Sequence, residues 1–382
     1  MQHLTIATSV ADRAAPFTGP TPPVLSEVRT MVVLRGGGLG DLVMTLPALR
    51  SLKDRYPDAR LTLLAPEATA RLQAGRAGPV DEVLPLPVST GVYEPSGAVE
   101  NELATRRFFD RARSHRFDLA VQLHGGGRWS NPFLRRLAAG FTIGSRTEDA
   151  EPLDRWLPYH RLQHDTLRAL EIVGLAGAPA TTLEPSLAVH PRDLTTADRI
   201  MAPMPPTVLA VHPGAKDRRR QWPPDRFAEV AAEVARRGGG VVVLGSAAEA
   251  ELVERVAELT RRRLLAGQRG AVLALAGSLD ESGLIGVLAR CSLLLGNDSG
   301  PRHLAAALGT PTVAVYWIGN LITAGPLSRH SNRVHTAWML ACPQCGCRAT
   351  EDYGRCRHDV SFVAEVEVDA VLADVCALLG MP

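Results

Sequence analysis

Lysine is nearly absent from this chain of 382 residues, because only Lys53 and Lys216 occur among its 42 basic residues. The net charge is only +2, so the chain lacks the strongly basic surface of a nucleic-acid-binding protein. No apolar run approaches the roughly 18 residues that cross a bilayer. The first residues also lack the charged start and apolar core of a signal peptide. These absences predict a cytoplasmic globular protein without a nucleic-acid partner.

Apolar runs typical of strands alternate with helical patterns along the whole chain. The predicted strands are Met31–Leu34, Leu61–Leu64, Leu119–Leu123, Val208–His212, Val241–Leu244, Leu293–Leu295 and Thr312–Tyr316. The predicted helices include Pro224–Arg237, Glu249–Arg262 and Arg302–Leu308. This alternation is typical of parallel α/β units, and it occurs in both halves of the chain.

A segment rich in Pro and Thr, Thr181–Thr207, indicates a boundary between two Rossmann-like halves. We therefore expect a mobile leader over residues 1–28, an N-terminal domain over 29–200 and a C-terminal domain over 201–340. A Cys-rich loop and a final helix are expected over residues 341–382. Ligands of such sheets bind at the carboxyl ends of the strands.

The stretch MVVLRGGGLGDLVMTLPALR resembles a nucleotide-binding turn, since a strand meets four glycines and then a helical pattern. In G-x-G-x-x-G counted from Gly36, however, Asp41 occupies the third glycine position. A carboxylate at this point would repel an incoming pyrophosphate. The turn is therefore predicted to present an acid rather than to bind a phosphate. An ordinary helix-capping role for Asp41 remains the alternative.

Two motifs in the second half predict an anion site. The stretch HPGAKDRRRQWPP places Lys216 and Arg220 on a loop after a strand, although surface arginines remain the alternative. In GNDSGPRH, residues 298–303 begin a helix whose free N–H groups favour a phosphate, although a structural cap remains the alternative. An esterase is disfavoured, because the nucleophile motif G-x-S-x-G does not occur around Ser299.

Taken together, GDLVMTLPALRSLKDRYPDARLTLL, HPGAKDRRRQWPPDRFAEVA and NDSGPRHLAAALGTPTVAVY resemble glycosyltransferase family 9, the ADP-heptose heptosyltransferases of lipopolysaccharide assembly. The resemblance covers roughly residues 30 to 365, with the three motifs in the family's order. It implies an α/β GT-B fold of two Rossmann-like domains that face each other across a cleft. It also implies acceptor binding by the first domain, sugar-nucleotide binding by the second, inversion at the anomeric carbon and no cofactor in catalysis.

The resemblance also assigns site residues. The catalytic base falls on Asp41, and the basic residue before Trp-Pro, usually lysine, falls on Arg220. The acidic residue that contacts the donor ribose in similar enzymes falls on Glu249. The remaining expected donor-binding residues are Lys216, Asp298, Ser299, Gly300 and His303. The expected acceptor-binding residues are Gly38, Gly40, His124 and Arg128.

Four of the six cysteines cluster in CPQCGCRATEDYGRC, namely Cys342, Cys345, Cys347 and Cys356. In a cytosolic chain such clustering favours a metal over disulfides, and four thiolates can hold zinc or iron tetrahedrally. A branch of the resembled family that glycosylates autotransporter proteins holds iron at this place. The alternative is a loop of reduced thiols. Any such metal is expected to be structural.

The function expected from these features is transfer of a sugar, heptose by resemblance, from an ADP-sugar to a hydroxyl of a glycolipid such as the lipopolysaccharide core. The protein is then expected to work peripherally at the inner face of a membrane. Two alternatives stay open: a related transferase with a protein acceptor or another sugar, and a catalytically silent protein that binds sugar nucleotides. The sequence does not indicate an oligomeric state.

Overall fold

The structure of the protein is a computed structural model that describes residues 24–73, 75–264, 271–348 and 358–382. Most of the leader expected over residues 1–28, and also Cys356, lie outside the described residues. Near residue 24, the first described residue, Leu25 and Val28 are already buried. The chain divides into two compact units, the first ending at Pro185 and the second beginning at Ser186.

In its described residues, the first unit is a parallel sheet of six strands with five helices. Its elements are β1 (Thr30–Leu34), α1 (Leu39–Arg55), β2 (Arg60–Ala65), α2 (Glu67–Gln73), β3 (Glu82–Pro85), α3 (Glu102–Ser114), β4 (Leu119–Gln122), α4 (Ser130–Arg135), β5 (Phe141–Arg146), β6 (Arg155–Pro158) and α5 (Asp165–Gly174). The strand order is β3-β2-β1-β4-β5-β6. The central strands are buried because the crossover helices of a parallel sheet cover its faces.

The second unit repeats this plan with six parallel strands and seven helices in its described residues. Its elements are α6 (Pro191–Met201), β7 (Val208–His212), α7 (Pro224–Arg236), β8 (Gly240–Gly245), α8 (Ala250–Arg262), β9 (Val272–Ala276), α9 (Glu281–Arg290), β10 (Leu293–Asn297), α10 (Gly300–Ala307), β11 (Thr312–Trp317), α11 (Ile318–Ala324), β12 (Asn332–Ala337) and α12 (Val368–Leu379). The strand order is β12-β11-β10-β7-β8-β9. The final helix packs on the core of this unit through Val371 and Val375.

Helix α6 crosses the expected boundary between residues 200 and 201 and packs within the second unit, against α9. A Cβ atom on Gly286 of α9 would lie only 2.0 Å from the carbonyl oxygen of Asp193 in α6. Glycine at this position therefore permits the close approach of the two helices. The Pro- and Thr-rich segment thus contains a helix of the second unit rather than only a linker.

Each sheet has one point where the strand order reverses, and this point positions the candidate site of each unit. In the first sheet β1 pairs with both β2 and β4, and in the second β7 pairs with both β8 and β10. At such a switch point the loops after the two central strands leave to opposite sides and open a crevice at the carboxyl edge. Among the described residues, no helix is long and apolar enough to cross a membrane.

Candidate functional site

The first unit places Asp41 at its switch point. Gly36 and Gly37 follow β1 after the single residue Arg35, Gly38 is the N-cap of α1, and Asp41 is the third residue of the helix. The Oδ2 atom of Asp41 accepts a hydrogen bond of 2.7 Å from the backbone N–H of Gly38. Asp41 therefore does cap its helix, yet its side chain remains 41% exposed. Its carboxylate is both fixed and accessible.

The glycines after β1 leave room for this arrangement. A Cβ atom on Gly36 would lie 2.0 Å from the carbonyl oxygen of Val92, so the neighbouring loop excludes any side chain there. A Cβ atom on Gly37 would lie 2.3 Å from Oδ2 of Asp41. The second glycine therefore makes space for the carboxylate itself, a requirement that differs from the phosphate cradle of a dinucleotide turn.

A buried arginine that sequence reasoning missed holds the other oxygen of Asp41. Arg35 is the residue after β1, and its Nη2 atom donates to Oδ1 of Asp41 at 2.8 Å and to Oδ2 of Asp165 at 3.1 Å. The position of Arg35 directly before the glycine turn was a possible signal. No sequence pattern indicates Asp165, because it lies 130 residues away along the chain.

Among the expected acceptor-binding residues, His124 lies beside the glycine turn that precedes Asp41. It follows β4 on the other side of the switch point, and a Cβ atom on Gly36 would lie 3.3 Å from its ring. Burial, followed by the charge of Arg35, lowers the pKa of His124 to about 4, so its imidazole is neutral at neutral pH. A neutral ring can accept one hydrogen bond and donate another, as a sugar hydroxyl requires.

The other expected acceptor residues differ in exposure. Gly40 lies in the first turn of α1, beside the N-cap Gly38. Arg128 is exposed, stacks over the ring of Trp129 and pairs with Asp149 at 3.5 Å. An exposed pair of this kind contributes little to stability and leaves the guanidinium accessible.

At the switch point of the second unit, the loop after β10 and the start of α10 bring charged side chains together. Asp298 accepts from Arg220 at 3.2 Å and contacts His303 Nε2 at 3.1 Å. Burial raises the pKa of Asp298, but the hydrogen bond from His303 and the charges of Arg302 and Arg220 lower it below its ordinary value. Asp298 thus holds one arginine and one histidine at the start of α10.

The hydroxyl of Ser299 lies 3.0 Å from Nδ1 of His212, the last residue of β7. His303 contacts Asp298 instead, so Ser299, Asp298 and His303 do not form a nucleophile relay. Gly300 begins α10, and Pro301, which has no N–H group to satisfy, follows it. These positions leave the helix start open to an anion.

Glu249 lies on the opposite side of His212. Its Oε2 atom is 3.8 Å from Nε2 of His212 and accepts two hydrogen bonds from Ser246. His212 lowers the pKa of Glu249 to about 2, and Ser246 assists although burial opposes the shift. A Cβ atom on Gly214 would lie 1.8 Å from Oε1 of Glu249, so the HPG turn needs glycine to admit this carboxylate. Sequence reasoning missed His212, although its place at the start of the HPG motif was a signal that could have found it.

The basic residues of the loop after β7 are not equivalent. Lys216 is exposed and has no ion-pair partner in the part of the chain that the structure describes. Arg220 is mostly buried, and its Nε atom lacks a hydrogen-bond partner among the described residues. A cavity of about 600 Å³ lies beside Glu249, lined by Trp222, Leu252, Arg255 and other residues. Small-ligand sites are commonly of this size.

The cysteine cluster contains a histidine that sequence reasoning missed. The ligand atoms of Cys342, Cys345 and His358 all lie within 4.8 Å of one another. Cys347 is not part of this group, although its carbonyl oxygen accepts from the N–H of Cys342 at 2.9 Å. Gly346 has φ of 70°, which lets the chain turn sharply after the second thiol. Two thiols and an imidazole at this spacing are the donor set that zinc and iron prefer.

Comparison with known proteins now identifies the family. Residues 105–351 match the profile of glycosyltransferase family 9 (heptosyltransferase). Lipopolysaccharide heptosyltransferase 2 of Salmonella typhimurium is 29% identical over 327 residues, covering 80% of this chain and 87% of that protein.

Two solved structures share the fold. The Escherichia coli ADP-heptose lipopolysaccharide heptosyltransferase II has a TM-score of 0.70 at 22% identity, covering 92% of this chain and 98% of that one. The iron-containing dodecameric glycosyltransferase TibC of enterotoxigenic E. coli has a TM-score of 0.53 at 14% identity, covering 94% and 77% respectively. Since the family profile spans more than half of the chain, the protein belongs to glycosyltransferase family 9 and is a glycosyltransferase with the GT-B fold.

Proposed function

We propose that this enzyme transfers heptose from ADP-heptose to a hydroxyl of the lipopolysaccharide core, with inversion at the anomeric carbon. The observation that carries the proposal is the Asp41 carboxylate, which is fixed by two partners and still 41% exposed at a switch point. A protein that only binds sugar nucleotides gains nothing from an accessible carboxylate there. Lipopolysaccharide heptosyltransferase 2 of Salmonella typhimurium, a relative over most of the chain, supports the choice of sugar and acceptor.

On the acceptor side, Asp41 would act as the general base. As the acceptor oxygen bonds to the anomeric carbon, Asp41 takes the hydroxyl proton, a contribution of about 10²–10⁴-fold to the rate. The neutral His124 would hold the same or a neighbouring hydroxyl, with Gly38 and Gly40 allowing close approach of the acceptor to the backbone. Arg128 would contact an anionic group of the acceptor.

On the donor side, the bond between the anomeric carbon and the diphosphate breaks, and ADP leaves with the bonding electrons. Arg220, Lys216, His303 and the free N–H groups at Gly300 would stabilise the charge that develops on the diphosphate. Asp298 orients Arg220 and His303, with which it pairs at 3.2 and 3.1 Å. Ser299 would contact the diphosphate and Glu249 the ribose of the donor.

Exposed apolar side chains of the first unit favour a glycolipid over a protein as acceptor. Val99, Leu103 and Trp129 are exposed, and the guanidinium of Arg128 lies over the Trp129 ring at 5.4 Å. Apolar and aromatic side chains beside a cation suit the interface of an anionic membrane, where the enzyme would work peripherally from the cytoplasmic side. A Trp129→Ala variant should bind anionic vesicles more weakly than wild type in co-sedimentation, whereas equal binding would remove this support.

The test of the function compares Asp41→Asn with wild type, with release of ADP from ADP-heptose in the presence of heptose-free lipopolysaccharide as the readout. Turnover should fall by at least about two orders of magnitude while donor affinity, measured by calorimetry, stays nearly unchanged. Asp81→Asn is a matched control, because Asp81 is similarly exposed, pairs with Lys53 at 2.8 Å and accepts from a backbone N–H at 2.8 Å. Near-normal turnover in Asp41→Asn would remove Asp41 from the mechanism.

The donor assignment has its own test. Arg220→Ala and His303→Ala should each weaken binding of ADP and ADP-heptose, because charge-assisted hydrogen bonds to phosphate are lost. Unchanged nucleotide affinity in both variants would mean that the donor site is misplaced. A panel of nucleotide sugars offered with lipopolysaccharide or protein acceptors separates the proposed reaction from a related transferase with another sugar or acceptor.

We also propose that Cys342, Cys345 and His358 hold a structural zinc or iron. The convergence of the three ligand atoms within 4.8 Å and the turn at Gly346 support this assignment. The metal would stabilise a loop with few apolar side chains, since metal binding energy becomes folding energy. It takes no part in the proposed transfer.

Elemental analysis of protein purified without chelators should therefore find about one zinc or iron per chain. The Cys342→Ser/Cys345→Ser double variant and His358→Ala should each lose the metal and keep the transfer activity. Cys376→Ser, which changes a cysteine outside the cluster, should keep the metal. If the wild-type protein contains far less than one equivalent of metal and its thiols titrate freely, the segment is a loop of reduced thiols and the proposed metal site is wrong.

A further inference from the structure

A chain of alternating charges runs inward from Asp41 within the first unit. Oδ1 of Asp41 and Oδ2 of Asp165 both accept from the same Nη2 atom of Arg35, at 2.8 and 3.1 Å. The other oxygen of Asp165 pairs with Arg168 at the next turn of α5. Beyond Asp41, the side chains of this chain are between 8% and 19% exposed, so water screens their charges only partly.

The backbone holds Arg35 in a single place between the two carboxylates. Its Nε atom donates to the carbonyl oxygen of Asp41 at 3.2 Å, and its Nη1 atom donates to the carbonyl oxygen of Leu123 at the end of β4. A planar guanidinium bound in three directions cannot follow one carboxylate without leaving the other. Arg35 therefore divides its charge between Asp41 and Asp165.

We propose that Asp165 is a positioning residue for Asp41: it shares the Arg35 guanidinium, so that Arg35 orients the base without fully neutralising it. This inference rests on the proposed role of Asp41 as the general base. If Arg35 served Asp41 alone, the pair would be oriented equally well, but the carboxylate would be a weaker proton acceptor. Asp165 offsets that effect with a second negative charge.

The distances indicate how strong the coupling is. Because both carboxylate oxygens bond to one nitrogen, they are at most about 6 Å apart, where two charges at an effective dielectric constant near 20 still interact appreciably. The other titratable groups that face this chain are His124, which is neutral at neutral pH, and Tyr159 and Glu171 beside Arg168. Asp165 and Arg168 carry the charges that connect directly to the pair formed by Arg35 and Asp41, whereas the charge of Glu171 acts on Arg168.

Changes at Asp165 and Arg168 should shift the titration of Asp41 in opposite directions. Asp165→Asn keeps a hydrogen-bond acceptor for Arg35 but removes a negative charge, so the pKa of Asp41 should fall by about one unit. Arg168→Gln removes the cation that offsets Asp165, so the pKa of Asp41 should rise by a similar amount. The double variant Asp165→Asn/Arg168→Gln removes both charges and should return close to wild type.

The experiment measures kcat/KM against pH for wild type, the two single variants and the double variant, with ADP release from ADP-heptose and heptose-free lipopolysaccharide as the assay. The acidic limb of this profile reports the base of the free enzyme. In Asp165→Asn, the acidic limb of the kcat/KM profile should move to lower pH, and the maximal kcat should fall about tenfold. In Arg168→Gln, the acidic limb should move to higher pH. Donor affinity should be unchanged in all variants, and Asp81→Asn should match wild type.

If Asp165 had a purely structural role, Asp165→Asn would lower the melting temperature without moving the acidic limb of the kcat/KM profile. Acidic limbs that coincide with that of wild type in both single variants would overturn the proposal. If Asp165→Asn fails to fold, the upward shift in Arg168→Gln decides alone. Carbon-13 NMR of labelled aspartate follows the titration of Asp41 without any substrate. A failure of the proposed function therefore appears as inactive wild type or active Asp41→Asn, separately from the presence or absence of these shifts.

Discussion

Replacing Gly37 by Ala would displace the Asp41 carboxylate while leaving every charged group of the site in the chain. The new Cβ atom would lie 2.3 Å from Oδ2, 2.5 Å from Cγ and 2.6 Å from Cβ of Asp41. Ordinary contact between such atoms requires roughly 3.5 Å, so the carboxylate must move by about 1 Å. Rotation of the Asp41 side chain relieves the clash with the carboxylate, whereas the clash with Cβ, which rotation does not move, requires a small shift of the glycine turn or of the first turn of α1.

This movement would break the hydrogen bond of 2.7 Å from Gly38 and the ion pair of 2.8 Å with Arg35. A misplacement of about 1 Å at a reacting group can lower the rate by about 10²-fold, which corresponds to roughly 2.7 kcal/mol in the activation barrier. The free energy of unfolding should fall by about 1–3 kcal/mol, because a backbone hydrogen bond is lost and the buried Arg35 loses one of its two charged partners.

Steady-state release of ADP from ADP-heptose, combined with thermal unfolding, measures both effects. Gly38→Ala is an informative comparison, because its Cβ atom would meet Oδ2 of Asp41 at 3.8 Å, an ordinary contact, so the carboxylate should keep its place and the loss should appear in KM for the acceptor rather than in kcat. Gly78→Ala, where a Cβ atom meets nothing within 4 Å, should match wild type. If Gly37→Ala keeps wild-type turnover, the placement of the carboxylate over this glycine does not matter for the reaction.

Three further predictions follow from the two units. Between about pH 4 and 6.5, His124 is protonated in the unfolded chain but neutral in the folded protein. Acidification through this range should therefore lower the melting temperature of wild type more than that of His124→Gln. Arg220→Lys should keep donor affinity within about threefold of wild type in calorimetry, whereas Arg220→Ala should lose at least about tenfold, if charge rather than the planar fork binds the phosphate. Burial raises the pKa of Cys291 to about 12, so this thiol should resist a disulfide reagent at about pH 8 until the protein is unfolded, and prompt labelling of the native protein would contradict the burial.

The sequence by itself determined the fold class and most of the central strands. Val208–His212 was predicted with the bounds that the structure has, and Met31–Leu34 and Thr312–Tyr316 each fall one residue short of the observed strand. These strands were visible because burial on both faces makes them continuous apolar runs. The edge strands β3, β6, β9 and β12 were missed, since partial exposure at the edge of a sheet weakens the apolar pattern. The inner strand β5 was also missed, although most of its residues are buried.

The sequence also indicated Asp41 and residues 298–303, because a local pattern of glycines and helix starts places each group next to its own strand. Only the tertiary structure decided what these groups contact. Arg35 meets Asp165 across 130 residues, and Arg220 meets Asp298 across 78, because parallel strands bring distant loops to one edge of a sheet. His358 likewise approaches Cys342 across 16 residues of the chain. Local patterns specify elements and their caps, whereas the partners of a charged side chain depend on the strand order, which no short stretch of sequence contains.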